Sequence, residues 1–90
     1  MKVTHVKERK FTVYIGRPTV YGNPFIIGRD GTRKEVIKKF RRYAIKTKRV
    51  REAIIALPTR AILGCHCSPK SCHGDVIIAL HRKFTRKVRP

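Results

Sequence analysis

All three cysteines of the chain fall within nine residues, Cys65-His66-Cys67-Ser68-Pro69-Lys70-Ser71-Cys72-His73, with Gly74-Asp75 directly after them. Thiolate and imidazole are the donors that tetrahedral zinc takes, so Cys65, Cys67, Cys72 and His73 form a candidate metal set. The spacing is imperfect: C-x-C is tighter than the usual separation, and the adjacent Cys72 and His73 would diverge by about 100° on a helix. His5 or His66 could complete the set instead. A second chemistry is nucleophilic. A thiol at a helix start has a lowered pKa, Cys72 stands beside His73 in a basic chain, and Asp75 could orient the imidazole, giving Cys72, His73 and Asp75 as candidate catalytic residues. The plain alternative is that Cys65 and Cys67 are small core residues and Asp75 complements a helix dipole. The zinc deaminases of nucleic acids are excluded, because neither H-x-E nor P-C-x-x-C occurs.

The elements around the cluster decide how these groups can meet. An apolar run, Ala61-Ile62-Leu63-Gly64, precedes it and a helical pattern, Val76-Ile77-Ile78-Ala79-Leu80, follows, so the thiols lie at a strand-to-helix turn. If the strand persists, Cys65 and Cys67 point one way and His66 the other. Ser68 as N-cap with Pro69 at the first helical position could open the last helix, expected from about Cys72 to Phe84 with Val76, Ile77, Ala79, Leu80 and Phe84 buried. Phe11 to Ile15 alternates with period two, which predicts a strand with Phe11, Val13 and Ile15 on one face, pairing with Ala61 to Cys65. Lys2 to Lys7 reads as an edge strand or an ordered tail.

Between Gly16 and Gly31 lies a connection rich in glycine and proline, longer than a passive linker needs to be. Arg17 can fork onto a carboxylate or phosphate, and Gly22, Asn23 and, after the thiols, Gly74 can let backbone approach a ligand. The plain alternative is a tight turn at Gly22-Asn23 with Phe25, Ile26 and Ile27 plugging the core. Thr32-Arg33-Lys34-Glu35 is a capping box, opening a helix with Val36, Ile37, Phe40, Tyr43 and Ala44 as its apolar stripe. A second helical pattern, Val50, Ala53, Ile54 and Leu57, ends at Pro58; it is either continuous with the first or bent near Thr47-Lys48.

Charge points to the partner. With 23 Lys and Arg against five acids the chain carries +18, far above the ~2 to 8 usual for a small domain. Lys34, Lys38, Lys39, Arg41, Arg42, Lys46, Lys48, Arg49 and Arg51 stand between the apolar positions, nearly unopposed. Lys38, Lys39, Arg41, Arg42, Lys46 and Arg49 are the expected contacts to nucleic acid; the alternative is a solubilising surface. No apolar run approaches the roughly 20 residues of a membrane span, and no N-terminal apolar signal segment stands out, so no membrane partner is expected and the location reads as intracellular. An odd number of cysteines argues against a secreted disulfide framework. The absence of Gln and the single Asn23 point weakly to a hot-growing source, while the low Glu content points away from one.

Several stretches taken together resemble one family: Val13-Tyr14-Ile15-Gly16-Arg17-Pro18, Gly22-Asn23-Pro24-Phe25, Ile27-Gly28-Arg29-Asp30-Gly31-Thr32-Arg33, and Cys65-x-Cys67-x-Pro69-x-x-Cys72-His73-Gly74-Asp75-Val76. They are similar to an uncharacterised "domain of unknown function" family of phages, other viruses of prokaryotes, and prokaryotic genomes. The resemblance runs from about Val3 to the last helix. It implies that the glycine-rich loop and the cysteine turn form one unit, with Arg17, Asn23, Cys65, Cys67, Cys72, His73 and Asp75 lining a common pocket. The chain departs from the family's pattern at Thr12, where an acid is usual, and at Tyr21 and His66, where tryptophan is usual.

The expected fold is therefore α/β, a single domain over residues 1–90 with fraying at 1–8 and 86–90. A small sheet of at least two strands, with two to three helices packed on it, would carry loop and cysteine turn at the carboxyl ends of the strands if those strands are parallel. The expected function is binding of nucleic acid or a nucleotide phosphate. A Cys/His-dependent enzyme on a nucleotide-like substrate and a zinc-stabilised interaction module are the rivals, and zinc is the one cofactor under consideration. A chain this small gains from a staple such as a metal, a disulfide or a second copy in a dimer.

Overall fold

Ile62 to Cys65 is the short strand on which the molecule is assembled. In the computed structural model, which describes residues 1–67 and 70–86, it pairs on both sides. Strand β1 (Lys2–His5) and strand β2 (Val13–Tyr14) flank it, with helices α1 (Arg33–Lys46) and α2 (Lys48–Ile55) before β3 (Ile62–Cys65) and helix α3 (His73–Arg86) after it. The sheet order is β1-β3-β2 and both pairings are parallel, with Val3 and Val13 each opposite Leu63. This is the expected α/β class: the sheet of at least two strands has three, and they are parallel.

Period two along β3 sends Leu63 and Cys65 inward and leaves Gly64 on the outer face. Inside, Leu63 and Cys65 join Ile15, Phe40, Ala44, Val50, Ile54, Ile77 and Leu80 in one core to which all three helices contribute. Each fully buried Leu, Ile or Phe contributes about 1.5–3 kcal/mol, so this cluster is the main source of stability. Helices usually cover both faces of a parallel sheet. Here the outer face of β3 is met by Phe11, from the segment that joins β1 to β2: a Cβ on Gly64 would lie 2.5 Å from the Phe11 ring. That segment must return only about 7 Å along the strands and step across two strand spacings, roughly 10 Å, so residues 6–12 suffice for a connection that normally needs a dozen.

Local chemistry sets the helix ends. The Thr32 hydroxyl accepts from the Glu35 N–H while the Glu35 carboxylate accepts from the Thr32 N–H, the expected capping box. Thr47 is at once the last cap of α1 and the first of α2, so the two patterns form a bent pair. At α3 the Cys72 Sγ accepts from the Gly74 N–H at 3.3 Å, and the helix begins at His73 and runs two residues past Phe84. The expected cap at Ser68-Pro69 lies outside the described residues.

Two expectations need correction. The ladder strand is Val13–Tyr14 rather than Phe11 to Ile15, although the Thr12 N–H still donates to Ile62 (2.8 Å) and the Ile15 N–H to Gly64 (3.0 Å). Phe11 does not share the inner face with Val13 and Ile15, because the chain is still crossing the sheet when it reaches that ring. The segment from Lys2 does form the edge strand it was read as, β1, followed by a 3-10 turn (Val6–Glu8) capped by the His5 ring, whose Nδ1 accepts from the Lys7 N–H.

Candidate functional site

Parallel pairing brings the carboxyl ends of β2 and β3 together, and a cleft of about 420 Å³ opens there. Tyr14, Gly16 and Arg17 come from the end of β2. Cys65, His66 and Cys67 come from the end of β3, and Ser71, Cys72 and His73 from the entry to α3. The loop contributes Asn23, Phe25, Ile26 and Ile27, and α1 contributes Arg33, Val36 and Ile37. Loop and cysteine turn thus line one cavity, holding Arg17, Asn23, Cys65, Cys67, Cys72 and His73 of the expected set.

Asp75 does not join them. It is exposed in the first turn of α3, where it complements the helix dipole. The His73 imidazole that it was expected to orient turns instead to the end of β2, with Nε2 at 2.8 Å from the Ile15 carbonyl and the ring edge-on to Phe40 at 4.9 Å. Burial holds the His73 pKa below the usual range, against the carbonyls of Ile15 and Tyr21, so the imidazole is neutral at pH 7.

Cys72 also differs from the reactive thiolate that its position suggested. Its pKa is pushed up to about 12, chiefly because burial disfavours the charged sulfur; the Gly74 N–H works the other way but does not win. Its Sγ lies 3.5 Å from that of Cys65. Cys67 is half-buried at the cleft wall. Among the described residues no group of three or more His, Cys, Asp or Glu side chains is placed to hold a metal ion.

The remaining candidates divide into struts and open groups. Asn23 uses both ends of its amide internally, donating to the Val36 carbonyl (3.2 Å) and accepting from the Phe25 N–H (3.0 Å), which pins the loop to α1. Gly22 and Gly74 are buried. A Cβ on Gly22 would meet the Arg17 backbone at 3.0 Å, and one on Gly74 would meet Val3 and Ile15 at 2.8 and 2.9 Å, so both serve close packing rather than the cleft surface. Arg17 is exposed at the rim and makes no hydrogen bond or ion pair with the described residues.

Three polar cleft residues were not anticipated as ligand contacts, Tyr14, Arg33 and Ser71, and His66 was considered only as an alternative metal ligand. Tyr14 and His66 share a 3.1 Å hydrogen bond, their rings edge-on at 5.8 Å, with His5 edge-on to His66 at 6.1 Å. Period two could have placed Tyr14 and His66 together on the outer face, once β2 and β3 were known to be parallel neighbours. Arg33 donates to the Ser71 carbonyl at 3.0 Å.

None of the five acids lines the cleft. Asp30 and Glu35 are engaged in turn and cap, where the Ile26 and Thr32 N–H groups respectively hold each carboxyl below its usual range. Lys34, Lys38, Lys39, Arg41, Arg42, Lys46, Lys48 and Arg49 are exposed as expected, whereas Arg51 is half-buried and donates to the Ile45 carbonyl at 2.6 Å. Lys39 is partly engaged, donating to the Asp30 carbonyl at 2.6 Å and lying 6.0 Å from the Phe25 ring centre, and Arg49 donates to the Tyr43 hydroxyl at 3.3 Å. Lys34 and Arg41 are the helical neighbours of the cleft residue Ile37, so the basic face of α1 continues from the rim of the cleft. No helix among the described residues is long and apolar enough to cross a membrane.

The sequence pattern of a family described as "Domain of unknown function (DUF4326)" matches residues 1–83. The chain is also 37% identical over 81 residues to an "Uncharacterized 12.4 kDa protein in nrdA-td intergenic region" of Enterobacteria phage T4, an alignment covering 84% of this chain and 72% of the phage protein. No solved structure matches significantly.

Proposed function

Because the chain belongs to the DUF4326 family of domains of unknown function, whose description states no activity, we propose from the geometry that it binds single-stranded nucleic acid, seating one nucleotide in the cleft. The observation that carries this reading is the cleft's charge: Arg17 and Arg33 stand on it and all five acids stand elsewhere. An unengaged guanidinium at the rim of a partly apolar cleft is suited to a phosphate oxygen. Tyr14, Phe25 and His66 offer ring faces and edges for a base, and 420 Å³ lies in the ~300–1,000 Å³ range of small-ligand sites. The basic face of α1 then extends the contact along the strand's backbone, with Lys38, Arg41, Arg42 and Lys46 as phosphate partners.

The Cys/His enzyme reading draws less support, because a Cys72 nucleophile would have to ionise against its burial and His73 is committed to a backbone carbonyl. Fluorescence anisotropy with single-stranded DNA, single-stranded RNA and a nucleoside monophosphate, each titrated at rising salt, tests the binding reading. Affinity for the strands should fall steeply with salt, as counterion release requires. Absence of binding at low salt, or affinity indifferent to salt, would overturn the proposal.

A further inference from the structure

We propose that Cys65 and Cys72 form a dithiol site that closes to an intramolecular disulfide by exchange with a low-molecular-weight disulfide. Their sulfurs lie 3.5 Å apart, against about 2.05 Å in a disulfide, so they need approach by only about 1.5 Å. The pairing is selective: Cys67 belongs to the same cleft and packs against the core, but its sulfur makes no hydrogen bond to the described residues. Both members of the pair are almost wholly buried yet border the cleft, so a small reagent entering the cleft meets them while bulk oxidants do not. The two sulfurs also occupy structurally decisive places, one at the end of the central strand and the other as N-cap of α3.

The exchange balances without a metal or an external electron carrier. Cys65, its proton passing to solvent, attacks a sulfur of R–S–S–R, forming a mixed disulfide and releasing the first thiolate, RS⁻. The buried Cys72 thiol, 3.5 Å away, then gives its proton to the released RS⁻ as it attacks the Cys65 sulfur of that mixed disulfide, and the second RS⁻ is expelled. The released thiolates take up the protons. The Cys65–Cys72 pair is oxidised and the small disulfide is reduced to two thiols. That the linkage also changes the cleft's affinity for a nucleic-acid strand rests on the nucleotide-binding reading; the linkage itself does not.

Oxidised glutathione is the probe. After incubation of the full chain, remaining thiols are blocked by alkylation and the linkages mapped by peptide mass spectrometry. The expected result is a Cys65–Cys72 bridge with Cys67 as the alkylated thiol, the same bridge in Cys67→Ser, and a glutathione adduct in place of the bridge in Cys72→Ser. Three alkylated cysteines after oxidation, or a bridge that includes Cys67, would overturn the site, and the wild-type mapping decides this even where a variant fails to fold. Oligonucleotide affinity measured before and after oxidation separates the two claims. A several-fold change reversed by reductant supports the coupling to the cleft; an unchanged affinity beside a mapped bridge overturns that coupling alone, and absence of binding in both forms counts against the nucleotide reading instead.

Discussion

Arg33, the first residue of α1, donates a 3.0 Å hydrogen bond to the carbonyl of Ser71, at the turn into α3, and so ties the starts of two helices together at the cleft. Arg17, from the end of β2, stands at the same cleft with no such engagement. The two arginines therefore separate binding from architecture.

Arg17→Met should leave the melting temperature unchanged and weaken oligonucleotide binding about tenfold or more, the worth of a hydrogen bond to a charged group. Arg33→Met should weaken binding and also cost about 0.5–1.5 kcal/mol of stability through the lost Ser71 bond. Thermal denaturation alongside anisotropy reads both. An Arg17→Met variant that binds like the wild type would remove the cleft from the phosphate path.

His73 makes stability depend on pH in a stated direction. Its folded-state pKa lies below the ordinary 6.5, so as pH falls through and below that value the unfolded chain takes up a proton that the folded chain refuses. The stabilisation is present above pH ~6.5 and is lost on acidification, with a slope of up to about 1.4 kcal/mol per pH unit. The depressed carboxyls of Asp30 and Glu35 act the same way at lower pH, near and below their ordinary values of 3.8 and 4.5. Urea midpoints between pH 7.5 and 5 should fall for the wild type and flatten in His73→Asn, which keeps a donor for the Ile15 carbonyl. A flat wild-type profile would contradict a neutral, buried imidazole.

Gly64 should resist any side chain. Its Cβ would press on Phe11 at 2.5 Å, where the β1–β2 connection crosses the sheet. Gly64→Ala is expected to cost about 1–3 kcal/mol through overpacking. The same substitution in a Phe11→Ala background should cost less, giving a coupling of about 0.5–3 kcal/mol in a double-mutant cycle by chemical denaturation. Additive losses would mean that the ring does not cover the strand.

Neutralising the outer face of α1 should act on salt dependence rather than on specificity. Lys38, Arg42 and Lys46 are exposed and make no ion pair among the described residues. Replacing all three with Gln should reduce the slope of log K against log salt for a single strand by about 2, at ~0.7 per phosphate contact. An unchanged slope would show that the face is merely solvated.

How much of this was legible in the residues varied with how local the cause was. The Thr32/Glu35 capping box and the apolar stripe of α1 depend on neighbours a turn away and are where the patterns put them, and the break at Thr47 is one of the two alternatives the pattern left open; in α3 Ile77 and Leu80 are buried as expected, but Ala79 is exposed and His81 takes a buried place that a hydrophobic pattern does not mark. Phe11 was misplaced because alternation tells which way a residue points only once the chain has joined the sheet. Asp75 was assigned to the His73 imidazole from proximity in sequence, yet the ring finds its partner in Ile15, a residue on another element. Gly22, Asn23 and Gly74 are expected from the sequence to let a ligand approach, whereas the contacts they make are close packing and loop anchoring, which depend on partners distant in the chain. That Arg17 and the cysteines share a cleft follows from β2 lying parallel beside β3, a long-range pairing that no short window contains.

The order of strands carries a consequence for how the chain reaches its native state. β3 lies between β1 and β2 but follows both in sequence, and the two outer strands make no ladder with each other. During synthesis from the N-terminus nothing of the sheet can form until residues 62–65 have emerged, by which time α1 and α2 are available to pair locally. Sheet assembly is then the threading of a late strand between two waiting partners, so formation of the ladder depends on contacts that span about fifty to sixty residues.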